Sequence, residues 1–120
     1  MDIIIHETVT GKIAEIISDH IIIRDTDDTL DLIAESGARD AGKIILHENQ
    51  IIPDFFDLKT RLAGEILQKF SNYRVQVALI GDFSKYKSSS LQEFMRESNK
   101  GNRVFFLNHR EAAITRLTSA

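Results

Sequence analysis

A chain of 120 residues with 42% hydrophobic and 28% charged side chains has the makeup of one folded domain, too small for two cores and too apolar for a disordered segment. Its net charge of −3 is spread over dispersed lysines and arginines, which argues against a nucleic-acid or anionic-membrane partner, since phosphate binding needs a clustered positive face. Cysteine is absent, so disulfides, thiolate catalysis and cysteine-ligated zinc or iron–sulfur centres are excluded.

The opening MDIIIHE carries an aspartate where a secretory leader needs positive charge, and no apolar run approaches the ~18 residues of a membrane span. The expectation is a cytoplasmic, bacterial protein. Ile3, Ile4 and Ile5, then the run from Lys12 through Ile17, are β-branched segments on either side of Thr10-Gly11, the pattern of a hairpin. Ile21, Ile22 and Ile23 form either a short strand or a lead into a helix, because periodicity does not arbitrate over three residues.

A helix is expected over 26–39, with Leu30, Ile33, Ala34 and Gly37 as its inner face and Asp25, Asp27 and Asp28 at its start, where negative charge suits the dipole. Residues 43–47 (KIILH) read as a strand buried on both faces. The longest helix is expected over 54–71, with Leu58, Leu62, Ile66 and Phe70 four apart and Phe55, Ala63 and Leu67 widening the stripe. Residues 74–81 (RVQVALIG) alternate as a strand, and 85–90 (KYKSSS) read as a loop. A helix over 90–99 opens on a Ser90/Glu93 capping box and closes at Gly101. Residues 103–107 (RVFFL) give the last strand, and Asn108 with Glu111 has the spacing of a second capping box ahead of a C-terminal helix. The sum is ββαβαβαβα: a single α/β domain over 1–120, with a five-stranded, mixed but mostly parallel sheet and four flanking helices.

Ligands of open α/β sheets usually sit outside the carboxyl ends of the strands. That rim carries His47 and Glu48, then Asp82, Phe83, Ser84, Lys85 and Tyr86, and finally Asn108 and His109. The stretch PDFFDLK, with Asp54, Phe55 and Phe56, enters from the same side. Asp54 has a competing reading as a helix N-cap, with Asp57 at the box position. As a site for a protein partner or small molecule, the rim comprises His47, Glu48, Asp54, Phe55, Phe56, Asp82, Phe83, Lys85 and Tyr86.

Catalytic and metal signatures do not occur. The histidines at 6, 20, 47 and 109 lack the spacing of metal ligands, and His47-Glu48 lacks the second histidine of a zinc protease. The acidic stretch Asp25-Thr26-Asp27-Asp28 has Leu30 and Ser36 where a calcium loop needs glycine and glutamate. GDFSK is not a phosphate-binding loop, and no G-x-S-x-G elbow is present. No cofactor and no metal are expected. Ser88, Ser89 and Ser90 admit phosphorylation, although capping and loop solubility account for them more simply.

The stretch 47–86, centred on PDFFDLKTRLAGEILQKFSNYRVQVALIGDFSKY, together with KIAEIISD and ESNKGNRVFF, resembles a bacterial family known as domain of unknown function 4180. The order of elements, with VALIGDFSKY and RVFFLNHREAAITRL in the closing half, is more distantly similar to the STAS and SpoIIAA-like domains of anti-sigma-factor antagonists. That resemblance implies a small regulatory or ligand-binding module. The antagonists keep a phosphorylatable serine at the start of the helix after the middle strand. In this chain the matching stretch is Pro53-Asp54-Phe55-Phe56, with phenylalanine where the serine belongs and Thr60 a turn further on. Three readings follow: a non-catalytic regulatory or protein-interaction module, alone or as a homodimer; a carrier of an apolar small molecule lined by Phe55, Phe56, Phe83 and Tyr86; and a small hydrolase or isomerase using His47, Glu48 and Asp54.

Overall fold

The computed structural model describes residues 1–119. Strands β1 (Asp2–Thr8) and β2 (Gly11–Ile17) pair antiparallel around a turn in which Gly11 has φ 127°, a conformation open to glycine and costly for other residues. The chain then alternates through α1 (Thr26–Gly37), β3 (Ala41–His47), α2 (Leu62–Asn72), β4 (Gln76–Ile80), α3 (Ser89–Lys100), β5 (Val104–Leu107) and α4 (Arg110–Ser119). The expected order of elements is therefore the observed one, with β2 to β5 parallel.

The strands lie in the sheet in chain order, β1-β2-β3-β4-β5. Right-handed crossovers that step in one direction place their helices on one face. The parity of the buried residues agrees. Ile44, Leu46, Val77, Leu79 and Phe106 pack with Leu32 of α1, Ile66 and Phe70 of α2, and Leu91 and Met95 of α3. The intervening Ile13, Ile45, Ala78, Ile80 and Phe105 face Ala113 and Leu117 of α4 on the other side. Because the order never reverses, the sheet has no switch point and hence no crevice of the doubly wound kind. Its carboxyl edge is instead closed by 3-10 turns at Glu48–Gln50, Pro53–Phe56, Leu58–Thr60 and Phe83–Lys85.

Several local expectations are corrected. The long helix does not begin at Asp54. Pro53–Phe56 forms a 3-10 turn, Asp57 is extended, Leu58–Thr60 forms a second turn, and Arg61 at φ 63° precedes α2. Side chain–backbone bonds compete with the helix across this stretch. The Asp57 carboxylate accepts from Lys59 N at 3.1 Å, and the Thr60 hydroxyl lies 2.8 Å from both the Asp54 and Asp57 carbonyls. Asp54 is thus exposed and caps nothing with its side chain. Thr60 lies ahead of the helix rather than inside it.

The inner face of α1 is Thr29, Leu32 and Ser36, while the expected Ala34 and Gly37 are exposed. Thr29 enters the core because its hydroxyl donates to the Asp25 carbonyl at 2.9 Å, so its polarity carries no penalty. Ser88 rather than Ser90 caps α3, accepting from Leu91 N at 3.2 Å. At α4 the cap is the His109 imidazole, whose Nδ1 accepts from Ala112 N, and not Asn108. Ile23 makes a single parallel bridge to Ile51, which settles the 21–23 segment as a tether rather than a strand.

Candidate functional site

The carboxyl edge is built on β3 and β4. After β3, the buried Gln50 fastens the Glu48–Gln50 turn: its amide donates to the Ile16 and Ser18 carbonyls at 2.9 and 3.2 Å, and its oxygen accepts from His47 N at 3.0 Å. After β4, the chain passes Gly81 into the Phe83–Lys85 turn. A Cβ on Gly81 would lie 2.7 Å from both Cβ and Oε1 of Glu48, so the glycine is what lets Glu48 fold against this edge.

The Glu48 carboxylate is 14% exposed, accepts a hydrogen bond from the Tyr86 hydroxyl, and lies 2.8 Å from the Lys85 ammonium. The Tyr86 ring stacks on Phe56, with centroids 4.9 Å apart and planes 15° apart, and the ammonium sits 5.4 Å above the same ring. Burial, with the hydrogen bond and charge of Glu48 behind it, holds the Tyr86 phenol well above its ordinary range. These groups border a cavity of about 260 Å³ whose apolar walls are Ile21, Ile51, Pro53 and Phe56.

Four of the nine residues expected at the site meet here: Glu48, Phe56, Lys85 and Tyr86. Phe55 and Phe83 lie beneath as core, 1% and 9% exposed, with Phe56 at 4.9 and 5.9 Å from their ring centroids. The aromatic cluster packs against itself and leaves only Phe56 and Tyr86 on the cavity wall. Asp54 is exposed. Asp82 is exposed too and is spent on its own turn, accepting from the Ser84 hydroxyl at 2.6 Å and Ser84 N at 3.3 Å. Those bonds, with the nearby Lys85 charge, hold its carboxyl below the usual range.

His47 belongs to a different cluster, on the α4 side of the sheet. Its Nε2 lies 3.0 Å from Oε2 of Glu15, a fully buried carboxylate in the middle of β2. His6 of β1 reaches Oε1 at 2.8 Å, and Arg110 at the start of α4 donates through Nε to both oxygens at 2.9 Å and through Nη2 to Oε2 at 2.9 Å. Burial pushes the Glu15 carboxyl up, but the bonds from His6, His47 and Arg110 outweigh it and hold it below its ordinary value. Both oxygens are crowded with donors, so this carboxylate pins three strands and a helix and has no vacant lone pair facing a substrate.

At the other end of α4 the buried Lys43 donates to the Leu117 carbonyl at 2.6 Å and to Thr10 Oγ1 at 2.8 Å. The helix is therefore tied to the sheet by a polar anchor at each end. Sequence reasoning passed over Glu15, His6 and Arg110. One signal was available: Glu15 shares a strand face with Ile13 and Ile17, where alternation puts no charge.

Among the described residues, no group of three or more histidine, aspartate or glutamate side chains is arranged to hold a metal ion, and no helix is long and apolar enough to cross a membrane. The chain matches the family described as domain of unknown function (DUF4180) over residues 8–117, and it belongs to that family. No curated protein and no solved structure matches it.

Proposed function

We propose that this member of the family is a small non-catalytic regulatory module of the bacterial cytoplasm that engages a protein partner through the cavity framed by Glu48, Phe56, Lys85 and Tyr86. The observation that carries the reading is the Glu48 carboxylate, a charge kept mostly out of water at the wall of a largely apolar cavity. A few placed polar groups in an apolar concavity are the usual composition of a recognition site. Tyr86 donates to that carboxylate, Gly81 leaves the room it needs and Gln50 fastens the turn that carries it, which a loop residue with only a solubility role does not require.

Two further features support binding over chemistry. His47, Glu48 and Asp54, which an enzymatic reading needs together, have three separate surroundings. The ββαβαβαβα order on which the likeness to SpoIIAA-like regulators rests also supports a regulatory role. With Phe55 and Phe56 where those modules keep a serine, recognition proceeds by contact and not by phosphorylation at that position.

A photo-crosslinking residue placed at Asn49, on the cavity wall, tests the proposal. The expected result is one defined protein adduct in the source cell that disappears when Glu48→Gln is added. Equal labelling from a control position at Glu65, on the exposed side of α2, or no adduct at all, rejects the cavity as the partner site.

A further inference from the structure

We propose that the cavity receives the side-chain cation of a partner lysine or arginine, and that Lys85 holds this place in the unbound protein as an internal stand-in. The inference rests on the cavity being the partner site. It adds the chemistry of the group that enters and the device that guards it.

Glu48 and Tyr86 already form a cation site, because a cation occupies it. The Lys85 ammonium takes both contacts that such a site offers: the carboxylate at 2.8 Å and the Tyr86 ring face at 5.4 Å, within the ~6 Å reach of a cation–π contact. The Tyr86 hydroxyl uses one lone pair of Glu48, and a carboxylate has capacity for several more donors. Lys85 itself is 55% exposed on a short turn, so its hold is that of a surface ion pair and exchanges readily. When it leaves, its ammonium regains water, while the incoming cation restores the pairing of Glu48.

The cavity shape suits a cation carried on an aliphatic stem. Ile51, Pro53 and Phe56 present apolar surface along which methylenes lie while the charged head reaches Glu48. A neutral side chain would gain the walls but not the carboxylate, and an anionic one would meet Glu48 directly. The chain's net charge of −3 favours encounter with a basic partner on the same account.

The test is an NMR titration of the wild type, Lys85→Met and Lys85→Met/Glu48→Gln with three blocked amino acids: the N-acetyl N-methylamides of arginine, lysine and norleucine. The amides of Asn49, Gly81 and Tyr86 report binding. Lys85→Met alters a half-exposed side chain and keeps its stem, so the fold persists; the dispersion of each spectrum verifies this for every variant. The expected result is binding of both cationic probes that strengthens about tenfold in Lys85→Met and falls to the level of norleucine in the double variant, with norleucine weaker than both in the other two proteins. Norleucine binding as tightly as arginine and lysine in Lys85→Met would overturn the cation assignment while leaving the cavity a ligand site. Equal affinity in wild type and Lys85→Met would overturn the stand-in role. No response to any probe in any variant would overturn this inference and the cavity reading together.

Discussion

Replacing Glu15 by glutamine removes one charge and almost no volume, yet the structure predicts a large loss of stability. The carboxylate is fully buried and surrounded only by donors: Nε2 of His6, Nε2 of His47, and Nε and Nη2 of Arg110. A glutamine keeps one acceptor oxygen and turns an NH2 group toward nitrogens that also donate. Breaking a buried ion pair from one side costs about 3–5 kcal/mol, and because Arg110 is 53% exposed and recovers part of its hydration, the lower figure of about 3 kcal/mol applies. At a urea slope of ~1.5 kcal/mol/M this moves the unfolding midpoint down by ~2 M.

Arg110→Ala is expected to cost a similar ~3 kcal/mol, since it leaves the fully buried Glu15 carboxylate with only the His6 and His47 donors. The Glu15→Gln/Arg110→Ala double variant is expected to be little worse than Glu15→Gln alone, because both changes act on one interaction. The same carboxyl titrates below its ordinary 4.5 in the folded state. Between the folded and unfolded values the unfolded chain binds more protons, so the stabilisation is complete above about pH 4.5 and lost as pH falls through the folded value. Urea curves followed by circular dichroism at stepped pH read both effects. A midpoint shift below ~0.5 M in Glu15→Gln, or an acid limb as steep as that of the wild type, would refute the reasoning.

Three further outcomes follow from local geometry. Gly81→Ala places a methyl 2.7 Å from Glu48 Cβ, a position fixed by backbone, and is expected to lower stability by about 1–3 kcal/mol and displace Glu48 from Tyr86, measured by thermal unfolding and near-ultraviolet circular dichroism. In a spectrophotometric titration, one of the two tyrosines is expected to ionise late; Tyr86→Phe removes that late phase and Glu48→Gln advances it, whereas a late phase unchanged in Glu48→Gln contradicts the bond. Arg61→Gly relieves a left-handed residue at φ 63° and is expected to stabilise by ~0.5–1 kcal/mol, the ~1–2 kcal/mol steric relief less the added freedom of glycine in the unfolded chain; a lowered melting temperature would count against it.

The candidate site is only partly visible in the chain. Glu48, Phe56, Lys85 and Tyr86 were placed on one rim because each follows a strand whose carboxyl end the alternation of elements predicts. Asp82 reads as a rim residue too, since an aspartate that serves its own turn and one that serves a ligand look alike in sequence, and Asp54 does so by its place in PDFFDLK. The distinction appears only when Ser84 is seen on Asp82. PDFFDLK read as a helix because Leu58, Leu62, Ile66 and Phe70 do fall four apart. The breaks at Asp57 and Arg61 come from hydrogen bonds that helical periodicity does not register.

What the amino-acid sequence determined by itself was the succession of elements and the class of the sheet, because strands and helices differ in the local period of their apolar residues. The lack of cysteine also excludes disulfides and thiolate chemistry. Tertiary structure alone decided which face α4 covers, which polar groups are pinned and which are open, and that His47 turns away from its neighbour Glu48. Glu15 and Arg110 stand 95 residues apart in the chain and 2.9 Å apart in the fold. No local pattern spans that interval, because the partners of a buried charge are chosen by the packing of the whole sheet.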